Sequence, residues 1–348
     1  MKRITIKDVA RAAGVSDTTV SWVLKDHPMI SEGTKKKVMQ YIRKSGYKAN
    51  ILARSLRRSK TDIIGVLLND ISNPFYAKIL TGIEARAKTH GYNILLCNTN
   101  WESATERAML ETMGQYNVDG IIVTPTEEVS DCYAELLKMR KPFVFVDTAV
   151  PGMDANYVIN DAVAAGYIAT RYLIRLGHKR IVHITGEFEK KDFSSFVNII
   201  RGYKRAFAES RISLPDHPVY YGGLTLEAGY SAMRQILKGT CVPSAVFAVN
   251  DLAAAGVMSA ADEAGLRIPE GISILGIDNS YLGTIPRISL DTVAQPEVEM
   301  GRKAVEILAA NITANAAKKE FKPVQISLEP KIIKRGSCKK VGTFVQHD

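Results

Sequence analysis

The chain of 348 residues carries a formal charge of +10 at pH 7, and 46 % of its residues are hydrophobic, an ordinary share for a globular protein. At about 100–200 residues per domain, this length predicts more than one domain. The charge sits at one end: residues 1–60 hold fifteen Lys and Arg against four Asp and Glu, a net +11, and the rest of the chain comes to −1. Such a block marks either a polyanion partner or a solvated basic arm.

Cys97, Cys132, Cys241 and Cys338 are widely separated and form no C-x-x-C pair, which argues against a zinc cluster or a disulfide framework. They read as reduced structural thiols. The opening M-K-R-I-T-I-K-D-V-A lacks the apolar stretch of an export signal, and no apolar run approaches the roughly 20 residues that span a bilayer. A cytoplasmic protein with no membrane partner is expected.

Thr5 followed by Asp8 is a helix-opening signal, and Val9, Ala10 and Ala13 give that helix an apolar side before Gly14 closes it. Ser16 caps a second helix. At about 100° per residue, Val20, Val23 and Leu24 share one arc of it, while Asp17, Thr18, Ser21, Trp22 and Lys25 share the opposite arc. Ser31 opens a third, basic helix with Val38, Tyr41 and Ile42 inward and Gly46 as its stop. The first connection, Gly14-Val15-Ser16, has the length of a helix-turn-helix turn, whose second helix enters the DNA major groove. A helical oligomerisation module is the competing reading. The polar, short-chained outer arc suits a groove better than a dry interface.

The stretch I-K-D-V-A-R-A-A-G-V-S-x-x-T-V-S-x-V-L resembles the DNA-binding headpiece of the lactose-repressor (LacI/GalR) family of bacterial transcription regulators, and the resemblance extends over essentially the whole chain. It implies that Ser16, Asp17, Thr18, Ser21 and position 22 belong to a recognition helix, with Lys25 at its end and Thr5 and Thr34 among phosphate contacts. The family's usual Arg at position 22 is Trp22 here. An indole can press on a thymine methyl but cannot fork to guanine, so a different operator preference is expected. From its residues alone, the segment from Tyr47 to Lys60 is a basic linker with some helical tendency. The resemblance makes it a hinge that becomes helical on the operator, with Asn50, Ala53 and Leu56 at the minor groove and Leu56 as the wedge. Ala49 stands where the family often has Pro.

From Ile63 onward, short apolar runs alternate with helical patterns. The first series is 63–68, 94–97, 120–124 and 143–147; the second is 180–184, 244–250 and 273–278, with helices over 162–176, 225–237 and 251–264. Runs of this kind predict parallel strands buried on both faces, and two series predict two doubly wound subdomains. Open parallel sheets bind ligands beyond the carboxyl ends of their strands. Thr124, Asp147, Asn250 and Asp278 end such runs, and Gln295 follows another. Each alone reads equally as a loop residue; together they form acceptors and amides suited to sugar hydroxyls.

The resemblance implies a core similar to periplasmic sugar-binding proteins, with those five positions in an effector pocket and Phe75 or Tyr76 of N73-P-F-Y76 against the ligand's apolar face. The family's common R-x-x-G-F arginine is Ile199, three before Gly202-Tyr203, with Arg201 as a substitute from a shifted register. Nucleotide-loop, zinc-protease and nucleophile-elbow motifs do not occur, so no enzyme, cofactor or metal is expected. The expected organisation is a helix-turn-helix domain over 1–45, a hinge over 46–60, a two-subdomain effector-binding and dimerisation core over 61–340, and a tail over 341–348. The expected function is a homodimeric repressor of carbohydrate genes on a pseudo-palindromic operator, modulated by a sugar-like effector. A nucleobase or protein coeffector is the alternative, and a solute-binding protein a further one.

Overall fold

The computed structural model describes residues 4–24, 26–47, 60–126, 133–186, 194–239 and 241–341. The chain divides into two compact units, Met1–Thr61 and Asp62–Asp348. In the first, α1 (Ile6–Ala13), α2 (Asp17–Val23) and α3 (Glu32–Ser45) enclose Val9, Ala10, Ala13, Val20, Val23 and Val38. Side chains small enough to let short helices approach make this core possible. Its corners are set by caps. The Asp8 carboxylate accepts from the Thr5 N–H at 2.9 Å and the Thr5 hydroxyl at 2.7 Å. Ser16 Oγ accepts from the Thr19 N–H at 3.1 Å, and Gly14 takes the left-handed conformation (φ +63°) that lets the chain reverse. Leu24, expected on the buried arc, is 40 % exposed at the C-cap of α2.

The second unit holds two six-stranded sheets. The first lobe contains β1 (Ile63–Leu68), α4 (Pro74–Thr89), β2 (Asn93–Asn98), α5 (Ser103–Gln115), β3 (Gly120–Val123), α6 (Ala134–Lys138), β4 (Phe143–Asp147) and β5 (Asn156–Asn160). The second contains α7 (Ala162–Arg175), β6 (Ile181–Thr185), α8 (Ser194–Ser210), β7 (Val219–Tyr221), α9 (Leu226–Leu237), β8 (Ala245–Ala248), α10 (Asp251–Glu263), β9 (Ser273–Ile277), a 3-10 turn (Tyr281–Thr284) and β10 (Asp291–Ala294). The chain then returns: α11 (Glu297–Ala316) and β11 (Gln325–Leu328) complete the first lobe, and β12 (Lys331–Ile333) closes the second. The sheet orders are β11-β5-β4-β3-β1-β2 and β12-β10-β9-β8-β6-β7, parallel except for the β10–β12 pair.

The lobes are therefore joined three times, after Asn160, Ala294 and Leu328. The sequence predicted two consecutive series, whereas α11 packs Met300, Ala304, Val305 and Leu308 back onto Ile79 and Ile83 of the first lobe.

Each lobe buries apolar side chains on both faces of its sheet, which is why β3, β6, β8 and β9 are buried at every residue. Three helix pairs share one device. Gly82 of α4 faces the Val298 carbonyl while Gly301 of α11 faces that of Ile79; Gly166 and Gly202 join α7 to α8, and Gly229 and Gly256 join α9 to α10, in the same reciprocal way. A Cβ at any of the six would lie 1.9–2.2 Å from a carbonyl oxygen.

His183 lies wholly buried in β6, stacked on Phe247 at 4.6 Å, with Nδ1 donating to the Phe247 carbonyl at 2.9 Å and Nε2 unpartnered. Burial lowers its pKa from 6.5 to about 4. Its share of stability is thus complete above about pH 6.5 and lost as pH falls toward 4, up to about 3 kcal/mol. His183→Asn should flatten that slope in denaturant titrations at stepped pH. An unchanged slope would show that another group carries the acid loss.

Candidate DNA-reading surface and ligand cleft

On the first unit, Ser16 and Thr18 are exposed, Asp17 and Ser21 are half-buried, and Trp22 is 36 % exposed. Thr18, Ser21 and Trp22 lie along α2 away from Val20 and Val23, while Ser16 caps the helix and Asp17 flanks its buried side. The Thr5 hydroxyl is held by Asp8, and the Thr34 hydroxyl hydrogen-bonds that of Ser31 at 2.9 Å. Both remain near helix starts, where N–H groups favour anions. Lys25, Asn50, Ala53 and Leu56 fall outside the described residues. A residue the sequence reading passed over is His27, whose ring stacks on that of Trp22.

In the second unit, the cleft between the lobes collects six of the seven residues expected there. Phe75 and Tyr76 open α4, placed by Asn73, whose side chain accepts from the Phe75 N–H at 3.0 Å. The Tyr76 hydroxyl donates to Asp147 at 3.3 Å, across the first lobe's strand ends. Asn250 caps α10, accepting from the Ala253 N–H at 2.7 Å and donating to the Leu224 carbonyl at 2.9 Å. Gln295 Nε2 donates to Asp278 at 2.9 Å. Asp147 ends β4 and Asp278 directly follows β9, at φ +70° and +102°, conformations that L residues adopt at an energetic cost and that concentrate at functional sites.

Thr124 is the exception. It directly follows β3, but it does not line the cleft; its N–H and hydroxyl both donate to the Leu67 carbonyl, at 3.0 and 3.1 Å. Arg201 does not substitute for the missing arginine either: it is exposed and donates to Asn198, while Ile199 lines the cleft.

The cleft contains further residues that sequence reasoning missed. Trp101 enters from a loop in which Asn100 and Trp101 both have positive φ, its ring edge-on to Tyr76 at 6.1 Å. Phe196 enters from α8. Asn160, at the first crossing between the lobes, is 8 % exposed, and neither its Nδ2 nor its Oδ1 has a hydrogen-bond partner. The free space is about 70 Å³, far below the roughly 300 Å³ of an ordinary ligand pocket, so a monosaccharide enters only if the lobes part or side chains turn aside.

Burial, reinforced by Asp251 and Glu297, holds the Asp278 carboxyl well above the usual carboxylate range. Burial and Asp147 raise Tyr76 in the same direction. Beneath Asp278, Lys78 of α4 donates to the carbonyls of Asp278 and Asn279 at 2.6 and 2.7 Å and lies 3.4 Å from Glu297. Glu297 is pushed up to about 7 by burial, against the pull of Lys78.

A three-helix unit with a helix-turn-helix corner, followed by two parallel-sheet lobes around a cleft that mixes aromatic and polar side chains, defines a DNA-binding regulator with a periplasmic-binding-protein-like core. Family profiles agree: residues 5–50 match "Bacterial regulatory proteins, lacI family" and residues 61–333 match "Periplasmic binding proteins and sugar binding domain of LacI family". The chain belongs to the LacI family of DNA-binding regulators. It is 35 % identical over 340 residues to the HTH-type transcriptional repressor PurR of Vibrio atlanticus (strain LGP32), covering 96 % of this chain and 98 % of that one. It is 34 % identical over 340 residues to the ribose operon repressor of Escherichia coli (strain K12), covering 96 % and 99 %. Among solved structures, a transcriptional regulator CelR–cellobiose complex superposes with a TM-score of 0.72 at 27 % identity, over 96 % of this chain and 100 % of that one. The lac repressor dimer bound to operator and the anti-inducer ONPF reaches 0.85 at 22 % identity, over 97 % and 100 %, a likeness of fold. Among the described residues, no helix is long and apolar enough to cross a membrane.

Proposed function

We propose that this protein is a cytoplasmic, homodimeric transcriptional repressor that reads a pseudo-palindromic operator and is modulated by a neutral sugar held between the core lobes. Thr5, Ser16, Asp17, Thr18, Ser21, Trp22, Lys25 and Thr34 of each headpiece contact the major groove and its phosphates, and Asn50, Ala53 and Leu56 act at the minor groove. Two-fold symmetry spaces the half-sites.

The observation that carries the effector reading is Asn160. A buried amide with both atoms unpartnered costs free energy unless something bonds to it. It lies where the chain passes from one lobe to the other, so a ligand that bonds it bears on the lobe arrangement. Asp147 and Asp278 supply acceptors for hydroxyls, and Phe75, Tyr76, Trp101 and Phe196 supply apolar faces. None of the described lining residues is Lys or Arg, which disfavours phosphorylated or carboxylated ligands. A relative named for the ribose operon supports a sugar. The four rings and the free amide favour one second reading, a nucleobase stacked and bonded along its edge.

A thermal-shift screen of sugars, sugar phosphates and nucleobases tests this. One neutral sugar at about 100 times its Kd is expected to stabilise the protein by roughly 2.7 kcal/mol. Asn160→Ala should leave the free protein as stable and abolish the shift. A response to a nucleobase alone would establish the second reading; no response to any class would overturn the cleft as an effector site.

A further inference from the structure

We propose that His27 positions Trp22, so that the two rings act as one aromatic reading element at the carboxyl end of the recognition helix. The inference rests on the DNA-reading role of α2 given above and adds to it a residue that lies outside that helix.

The Trp22 and His27 rings are stacked, with centroids 4.9 Å apart and planes 16° from parallel. The stack is built from more than contact. The chain folds back through Asp26, which has φ +51° and whose carboxylate accepts from Lys35 at 2.6 Å. The His27 N–H then donates to the Trp22 carbonyl at 3.0 Å. The Met29 N–H donates to His27 Nδ1 at 3.3 Å, which assigns the ring's own proton to Nε2. Backbone, side-chain hydrogen bond and stack thus fix the imidazole independently, and the imidazole fixes the plane of an indole that is 36 % exposed.

One indole face is covered by His27, and the 36 % of the residue that stays exposed is what it can offer to a base edge. Indole offers a single N–H donor and no acceptor, so it cannot reproduce a fork to the two acceptors of guanine. A flat apolar surface held at a set angle fits the C5-methyl of thymine, the one apolar feature of the major-groove edges. The element therefore selects thymine at the base it faces. His27 acts through Trp22 and is a positioning residue.

The test is site selection from a randomised duplex pool by the full-length protein, followed by binding to the selected site with each thymine replaced in turn by uracil. One thymine per half-site should be required, its uracil replacement costing about tenfold in affinity. Trp22→Ala and His27→Ala should each lose that requirement at the same position, and His27→Phe, which keeps the stack, should retain it. The salt dependence of binding should be unchanged throughout, because it reports phosphate contacts. The proposal is overturned if no thymine methyl matters to the wild type, or if His27→Ala keeps the requirement. Failure of the wild type to select any site would instead overturn the DNA-reading role itself.

Discussion

Gly256→Ala is expected to destabilise the core by at least about 3 kcal/mol and to reduce the yield of folded protein. The added Cβ would stand 1.9 Å from the Leu226 carbonyl oxygen and 2.7 Å from the Tyr230 nitrogen. Both are helix backbone, so no side-chain rotation relieves the clash and α10 must move off α9. That movement opens the cluster formed by Ala232, Met233, Val257 and Ala261. Interiors at crystal-like density transmit such a shift instead of absorbing it. Gly114→Ala is the control: its Cβ would meet only the end of Met139 at 3.6 Å, and Ala exceeds Gly in helix preference by about 1 kcal/mol. Urea denaturation should show the first variant losing midpoint and the second holding or gaining it. Equal midpoints for Gly256→Ala and wild type would mean that the helices are not seated as closely as the structure has them.

Much of this architecture was legible in the sequence. Capping residues announced the three headpiece helices because each satisfies backbone groups no neighbour reaches. The central strands announced themselves because burial on both faces leaves only apolar residues. Three edge strands did not: β7, β11 and β12 are short and partly exposed, and the interior strand β5 has only Tyr157, Val158 and Ile159 between two asparagines. Missing β5 meant missing Asn160 at its end. Equally, no local pattern states that α11 crosses back to the first lobe, since its apolar stripe would serve either lobe.

The rule that polar strand ends face a ligand placed Asp147, Asn250, Asp278 and Gln295 in the cleft, and it failed at Thr124. A hydroxyl can turn back to its own sheet, and there it satisfies the Leu67 carbonyl. Trp101 gave no signal because a loop with two consecutive positive-φ residues, Asn100 and Trp101, is legible only in three dimensions. The glycine pairs were hidden for the same reason: each needs its partner helix before its lack of a side chain has a meaning.

Lys78→Met is expected to destabilise the core by about 2–3 kcal/mol near pH 8 and by clearly less near pH 5. The ammonium of Lys78 belongs to the first lobe. It serves two carbonyls of the second lobe and Glu297, at the head of the helix that returns between them. Removing it strips both carbonyls of this donor at any pH, which sets the smaller loss. The larger loss comes from Glu297. Burial raises its pKa from 4.5 to about 7 even with Lys78 present, and Lys78 is the leading influence holding it down. A carboxyl raised in the folded state gives stability that is complete below the unfolded value and lost as pH rises through the folded one. In the wild type that loss levels off above about 7; without Lys78 it continues to higher pH, so the gap between the two proteins widens with alkalinity. Glu297→Gln in the same background should close most of that gap, since an amide does not titrate. A destabilisation independent of pH would show that Glu297 is charged and solvated whether or not Lys78 is there. The same carbonyl that Lys78 holds belongs to Asp278, whose carboxyl faces the cleft. Loss of the contact frees the backbone that carries Asp278, so the proposed effector should bind about tenfold more weakly in calorimetric titration, because that carboxyl is no longer held in place.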